Sequence, residues 1–230
     1  MEIYQVEMVA IMKYASSILL LAISLVFSIC LLQKPISAED SDKVLIIIRE
    51  RYGSAEIQLM GSNEAVLMKN ALEEADFKVV IASASGRTIL SKNTTLESDF
   101  KLADVNIADY VGFIITCSEL GPNIIPGSET PLAYGETFVK PQEVAIARKI
   151  TEAGKPVAAQ SKGVIILAEG GALTGKKYSY RHNLPIDGAI YVGQDVVQDG
   201  NIITSSYCPY YELQDQTVEL TQALITLLQK

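Results

Sequence analysis

The chain has 230 residues, 49% of them hydrophobic, and its 27 acidic against 19 basic side chains leave a net charge of −8. An acidic chain with no basic cluster lacks the electrostatic footprint of a nucleic-acid binder, and that class is excluded. The length suits one domain with a full core, and no repeat or low-complexity segment interrupts it.

The first 38 residues stand apart. Ala15 to Leu32 is an unbroken run of apolar and small residues, preceded by Lys13 and followed by Gln-Lys-Pro-Ile-Ser-Ala38 and the acidic Glu39. A basic residue, an apolar core and a small residue before a polar start describe a secretory signal peptide, with cleavage expected after Ala38. Left uncleaved, the 15–32 run is long enough to anchor the chain in a bilayer. Residues 1–38 are therefore read as signal peptide or membrane anchor. Residues 39–230 are read as one extracytoplasmic domain, secreted or periplasmic, with no membrane contact beyond residues 15–32.

Lys43-Val-Leu-Ile-Ile-Ile48 predicts a fully buried first strand, because its β-branched run shows no alternation. A helix is expected over residues 55–75, with Ser54 as N-cap and Ile57, Val66, Leu67 and Leu72 toward the core. Phe77 to Ala82 reads as the second strand, and a hairpin is expected near residues 87–96. Tyr110 to Thr116 reads as the next buried strand. The Gly/Pro-rich segment 117–135 forbids regular structure. Pro141 to Ala153 is helical by pattern, with Gly154 as a C-cap signal. Lys155 to Ala159 is a short strand that runs through Gln160 and Ser161 into a helix over residues 164–170. Short strands are expected within 176–180, 189–192, 196–197 and 201–205, and a final helix over residues 212–228.

Strands alternating with helices, with buried-type strands, imply an α/β fold: a doubly wound, mostly parallel sheet with helices on both faces. In such sheets ligands sit beyond the carboxyl ends of the strands. The loops after Ile48, Thr116, Ala159 and Thr204 are accordingly expected to share one site. The turn at Ser161, with Gly163 two residues on, has the form in which α/β enzymes lift a nucleophile above the sheet.

Several segments together resemble the ThiJ/PfpI family. They are the loop Thr116-Cys-Ser-Glu-Leu-Gly-Pro122, the elbow Ala158-Ala-Gln-Ser-Lys-Gly163 with Leu167-Ala-Glu169, the stretch Leu173-Thr-Gly-Lys-Lys177, and Asp199-Gly-Asn-Ile-Ile-Thr-Ser205. The resemblance covers about residues 43–229. It implies the class I glutamine-amidotransferase-like, flavodoxin-type fold, with a homodimer as a possible assembly. It also implies a pocket built from Ser161, Gln58, Cys117, Ser118, Lys162, Gly163 and His182. In this frame the family's elbow cysteine, often followed by histidine, is replaced by Ser161 and Lys162. The acid of its first helix is matched to Gln58. The Gly-Gly pair whose backbone lines the oxyanion pocket is matched to Cys117 and Ser118. After the last strand, Ser-Arg-Gly-Pro becomes Ser205-Ser-Tyr-Cys-Pro209.

These substitutions speak against thiol chemistry of the family's usual type. A serine nucleophile needs a general base. Either His182, the single histidine, or Lys162 is a candidate; against both stands the plainer role of Ser161 as a helix-capping hydroxyl. Cys117 and Cys208 both map to the pocket rim, where in an oxidising compartment they form either a disulfide or two separate buried thiols. Two cysteines and one histidine are too thin a set for a metal site, and no cofactor motif is read. Tyr52, Tyr134, Tyr207, Tyr210 and Tyr211 fall in pocket-side loops. Asn93-Thr-Thr95 matches a glycosylation triplet. The expectation is thus an exported domain with a degenerate, non-catalytic or altered site that retains a pocket for a small molecule or protein. The competing expectation is a hydrolase using Ser161. A third assigns the exported domain mainly an interaction role through the 117–135 loop.

Overall fold

The computed structural model describes residues 42–49, 64–86, 89–91, 94–117, 141–193, 195–207 and 215–230. All belong to a compact unit running Asp40–Lys230. In chain order the elements are β1 (Lys43–Ile48), α1 (Val66–Glu74), β2 (Lys78–Ser83), β3 (Ile89–Ser91), β4 (Thr94–Leu96), β5 (Phe100–Lys101), β6 (Gly112–Ile115), α2 (Pro141–Glu152), β7 (Val157–Gln160), α3 (Gly163–Glu169), β8 (Lys177–Tyr178), β9 (Ile190–Tyr191), β10 (Val197–Asp199), β11 (Ile202–Ser205) and α4 (Asp215–Leu228).

Seven strands form one sheet in the order β10-β11-β7-β6-β1-β2-β5. Every pairing in it is parallel except the β10–β11 hairpin at one edge. The expected hairpin near residues 87–96 is the separate β3–β4 pair, and β8 and β9 form a small parallel ribbon of their own. Two features were not anticipated: the two-residue edge strand β5, and the pair of 3-10 turns at Leu102–Asp104 and Ile107–Asp109. Both residues of β5 are exposed, so it carries no burial pattern that could be read from sequence.

Both faces of the sheet are covered, which is why its strands are apolar throughout. On one face Leu45, Ile47, Phe113, Ile115, Val157 and Ala159 pack with Ile146 and Ile150 of α2 and Val164, Ile166 and Leu167 of α3. On the other, Val44, Ile46, Ile48, Ile114, Ala158 and Ile203 pack with Met68 and Leu72 of α1 and Leu220, Leu224 and Ile225 of α4. Consecutive residues of β1 go to opposite faces and are buried on both. Each fully buried aliphatic side chain contributes about 1.5–3 kcal/mol, so this two-sided core carries the fold.

The helices end where the sequence places stops. Gly154, at a φ of +62°, follows α2 and lets the chain turn back into β7. α1 is described from Val66, and the expected start near residue 55 with its Ser54 cap lies outside the described residues. Its buried positions are Met68 and Leu72, while Val66 and Leu67 are half-buried. Among the described residues no helix is long and apolar enough to cross a membrane; residues 15–32 lie outside them.

Candidate functional site

Polar side chains are sparse in the strand bodies and gather at one end. Ser83, Thr116, Gln160, Ser161, Thr204, Ser205 and Ser206 are buried at or just past the carboxyl ends of β2, β6, β7 and β11, and Arg49 is buried just past β1. Four of these strands, β11, β7, β6 and β1, are consecutive neighbours. The strand ends from which the four expected loops leave therefore lie side by side at the carboxyl edge of the sheet centre, where such folds bind ligands, while most of the loops themselves lie outside the described residues.

Ser161 is the turning point of this edge. Its φ of +46° lies in the left-handed region, a conformation that costs a residue with a Cβ about 1–2 kcal/mol. The turn is held from both sides: the Ser161 amide donates to the Ser205 carbonyl at 2.6 Å, and the Val164 amide donates to the Ser161 carbonyl at 2.9 Å. Lys162 then takes helical angles and starts α3, half-buried. Ser161 itself is 1% exposed.

Gly163 makes the elbow possible. A Cβ there would collide with the Ile115 carbonyl oxygen and come within 3.1 Å of the Thr116 oxygen. The backbone of the elbow thus lies directly against the end of β6. A side chain of any size would push the two apart.

An acid stands at the same edge. Glu64, on the turn that leads into α1, is fully buried, and its Oε1 accepts a hydrogen bond from the Cys117 amide at 2.5 Å. The sequence reading did not single out this residue. A signal was available: Glu64, Met68 and Leu72 recur every four residues, so a carboxylate sits on the stripe that faces the core. Gln58, Ser118 and Cys208 lie outside the described residues, as do Tyr52, Tyr134, Tyr210, Tyr211, Asn93 and the 118–140 segment. Cys117 is buried, and the choice between a bridge to Cys208 and two separate thiols turns on an undescribed residue.

On the opposite side of β1, Arg49 pairs with Glu143 of α2, with 3.7 Å between Nε and Oε2 and both side chains 2% exposed. His182 is exposed, and its ring meets Tyr180 edge-on at 5.1 Å between centroids. Among the described residues no hydrogen bond joins His182 to Ser161. The described residues also contain no group of three or more His, Cys, Asp or Glu side chains placed to hold a metal ion.

A left-handed residue between a buried parallel strand and a helix, with a glycine pressed on the neighbouring strand, is the architecture that the resemblance implies. The family model described as the DJ-1/PfpI family matches residues 42–219. The chain belongs to the DJ-1/PfpI family. An uncharacterized protein of Archaeoglobus fulgidus is 33% identical over 106 residues, which are 44% of this chain and 55% of the relative. A deglycase of Thermococcus kodakarensis is 33% identical over 88 residues, 36% of this chain and 51% of that one. The chain spans about half the length of these curated relatives. Among solved structures, a ThiJ/PfpI domain protein of Brachyspira murdochii aligns with a TM-score of 0.57 at 16% identity, over 83% of this chain and 98% of that one. That likeness concerns the fold. In this chain a left-handed serine stands at the turn between β7 and α3, and a buried acid, Glu64, precedes α1.

Proposed function

We propose that this chain is an exported DJ-1/PfpI-family domain whose elbow site is non-catalytic or altered and which retains its pocket to bind a small molecule or a protein partner. The supporting observation is the setting of Ser161. It occupies the strained apex, while the one histidine packs against Tyr180 and makes no hydrogen bond to it. A hydroxyl without a positioned base is a poor nucleophile at neutral pH. Residues that hold strain of this kind cluster at ligand sites, which favours a binding role over a purely structural one. Deglycase activity is named for the Thermococcus relative. The thiol form of that chemistry is disfavoured here because serine stands at the elbow.

The competing reading is a hydrolase with Ser161 as nucleophile and His182 or Lys162 as base, and it draws on the same left-handed apex. The two separate with a fluorophosphonate probe on the full chain and on Ser161→Ala. The binding reading expects equal, background labelling of both. Labelling present in the wild type and lost in Ser161→Ala would defeat it in favour of the hydrolase. Export is tested by fractionating producing cells and sequencing the N-terminus of the recovered chain. A start at Glu39 is expected, and an uncleaved chain confined to the cytoplasm would overturn it.

A further inference from the structure

We infer that the outer edge of β9 is a docking site for an extended, basic segment of another protein, which adds to the β8–β9 ribbon as a third strand. This surface serves a partner whatever the elbow does with Ser161. Among the described residues β9 pairs with β8 alone. The β8 chain is held on its far side, where the Lys177 amide donates to the Asp199 carboxylate of β10 and the Ser179 amide to the Thr204 hydroxyl of β11. β9 is therefore the open side of the ribbon. Its bonds inward run through Ile190 and Val192, whose amides donate to the Lys176 and Tyr178 carbonyls at 2.8 and 3.1 Å. By the alternation of a parallel ladder, the N–H and C=O of Tyr191 between them point away from β8. Backbone groups so placed are a template for another strand.

The side chains suit the same use. Ile190 is 51% exposed and Val192 47%, while Tyr191 between them is turned inward and meets Tyr178 at 5.7 Å between ring centroids. Two of the four large hydrophobic side chains that stand exposed among the described residues are thus on this one strand. Charge decides the occupant. From Leu184 to Gln198 the only charged residues are Asp187 and Asp195, four positions to either side of Tyr191 and both exposed. The bases of the ribbon, Lys176, Lys177 and Arg181, all stand on the β8 chain, one strand further from an incoming segment, and Lys176 lies within 3.5 Å of Asp199. Two strand spacings, about 10 Å, are roughly a Debye length of screening. A second copy pairing antiparallel through Tyr191 would bring Asp187 of each chain toward Asp195 of the other, and like charges set opposite oppose that pairing. A segment with a base at each end and apolar residues at alternate positions instead meets both aspartates and covers Ile190 and Val192. The net charge of −8 draws the same partner.

The probe is the capped peptide Lys-Val-Thr-Val-Thr-Val-Lys, titrated into the 15N-labelled full chain and followed by nuclear magnetic resonance. The Tyr191 amide signal is expected to move downfield as it gains an acceptor, with the largest changes confined to residues 189–193. The same peptide with Glu in place of both Lys should bind at least about threefold more weakly. So should the Lys peptide to a chain carrying Asp187→Asn with Asp195→Asn, and to one carrying Ile190→Thr with Val192→Thr. All four positions are exposed, so these variants keep the fold. A Tyr191 amide that stays in place at millimolar peptide would overturn the inference, as would equal affinity for the Lys- and Glu-ended peptides. A Tyr191 signal that shifts with protein concentration alone would also overturn it, because the occupant would then be a second copy.

Discussion

Gly163 lies so close to the Ile115 carbonyl oxygen that no Cβ fits between them. This one contact sets the height of the elbow above the sheet and brings Ser161 beside the end of β6. Because the obstructing atom is backbone within a central strand, it cannot swing aside as a flexible side chain would. Gly163→Ala is expected to destabilise the domain by about 1–3 kcal/mol, the usual range for overpacking a close contact. Urea unfolding monitored by circular dichroism measures it. A midpoint equal to the wild type would show that the contact has slack.

The acid at the elbow bears on thiol chemistry. If Glu64 is the carboxylate that a cysteine at the apex would use, Ser161→Cys alone should create a reactive thiol, with no change needed at Gln58. Reaction with a chromogenic disulfide at pH 7 should show a phase absent from the wild type, whose Cys117 is buried. Adding Glu64→Gln should slow that phase by roughly tenfold or more, the scale on which an oriented acid–base partner acts. An inert Ser161→Cys protein with a native spectrum would sink the idea.

Arg49 and Glu143 tie the end of β1 to the first turn of α2. Neither charge reaches solvent, so the pairing helps to offset the desolvation of both. Removing one partner of a buried pair costs about 3–5 kcal/mol, because the remaining charge stays desolvated. Glu143→Ala is expected to lose that much in chemical unfolding. The double change Arg49→Met with Glu143→Leu should recover most of it. A loss below about 1 kcal/mol in the single variant would place the pair in an effectively solvated setting.

Asp199 gives the stability a pH dependence of known sign. Its carboxylate accepts the Lys177 amide at 2.9 Å and meets Lys176 Nζ at 3.5 Å, joining β10 to β8. The backbone hydrogen bond from Lys177 is the largest cause and, together with the Lys176 and Lys177 side chains, holds its pKa below the ordinary aspartate value against an opposing desolvation. A depressed folded pKa means a contribution that is complete above the ordinary aspartate range and lost as pH falls through the lower, folded value. The melting temperature of the wild type should therefore exceed that of Asp199→Asn near neutrality, and the gap should close in acid. A gap of constant size from pH 7 to pH 2 would refute the assignment.

Much of this protein was legible in the sequence. The run Lys43–Ile48 announced a strand buried on both faces, and it is one to the residue. The alternation of such runs with helical stretches implied a parallel sheet, and the elbow motif with Asp199-Gly-Asn-Ile-Ile-Thr-Ser205 pointed to the family that the comparison shows. These readings succeed because the hydrophobic pattern is a local property: burial on two faces leaves its mark on every strand residue.

The site was less legible, because it is made of contacts between distant segments. Glu64 and Cys117 stand 53 positions apart, and it is the pairing of β6 beside β1 that brings the amide past β6 to the carboxylate that precedes α1. The family resemblance matched the acid to Gln58, which lies outside the described residues, while the carboxylate that reaches the described edge is Glu64. The family frame likewise put His182 within reach of the elbow, yet packing leaves it exposed against Tyr180. The sequence alone determined the fold, the family and the location of the edge, since these follow from periodicity and from short motifs. Which side chains meet there, and the left-handed turn that carries Ser161, were decided by tertiary packing, because a hydrogen bond between remote residues leaves no periodic trace in the chain.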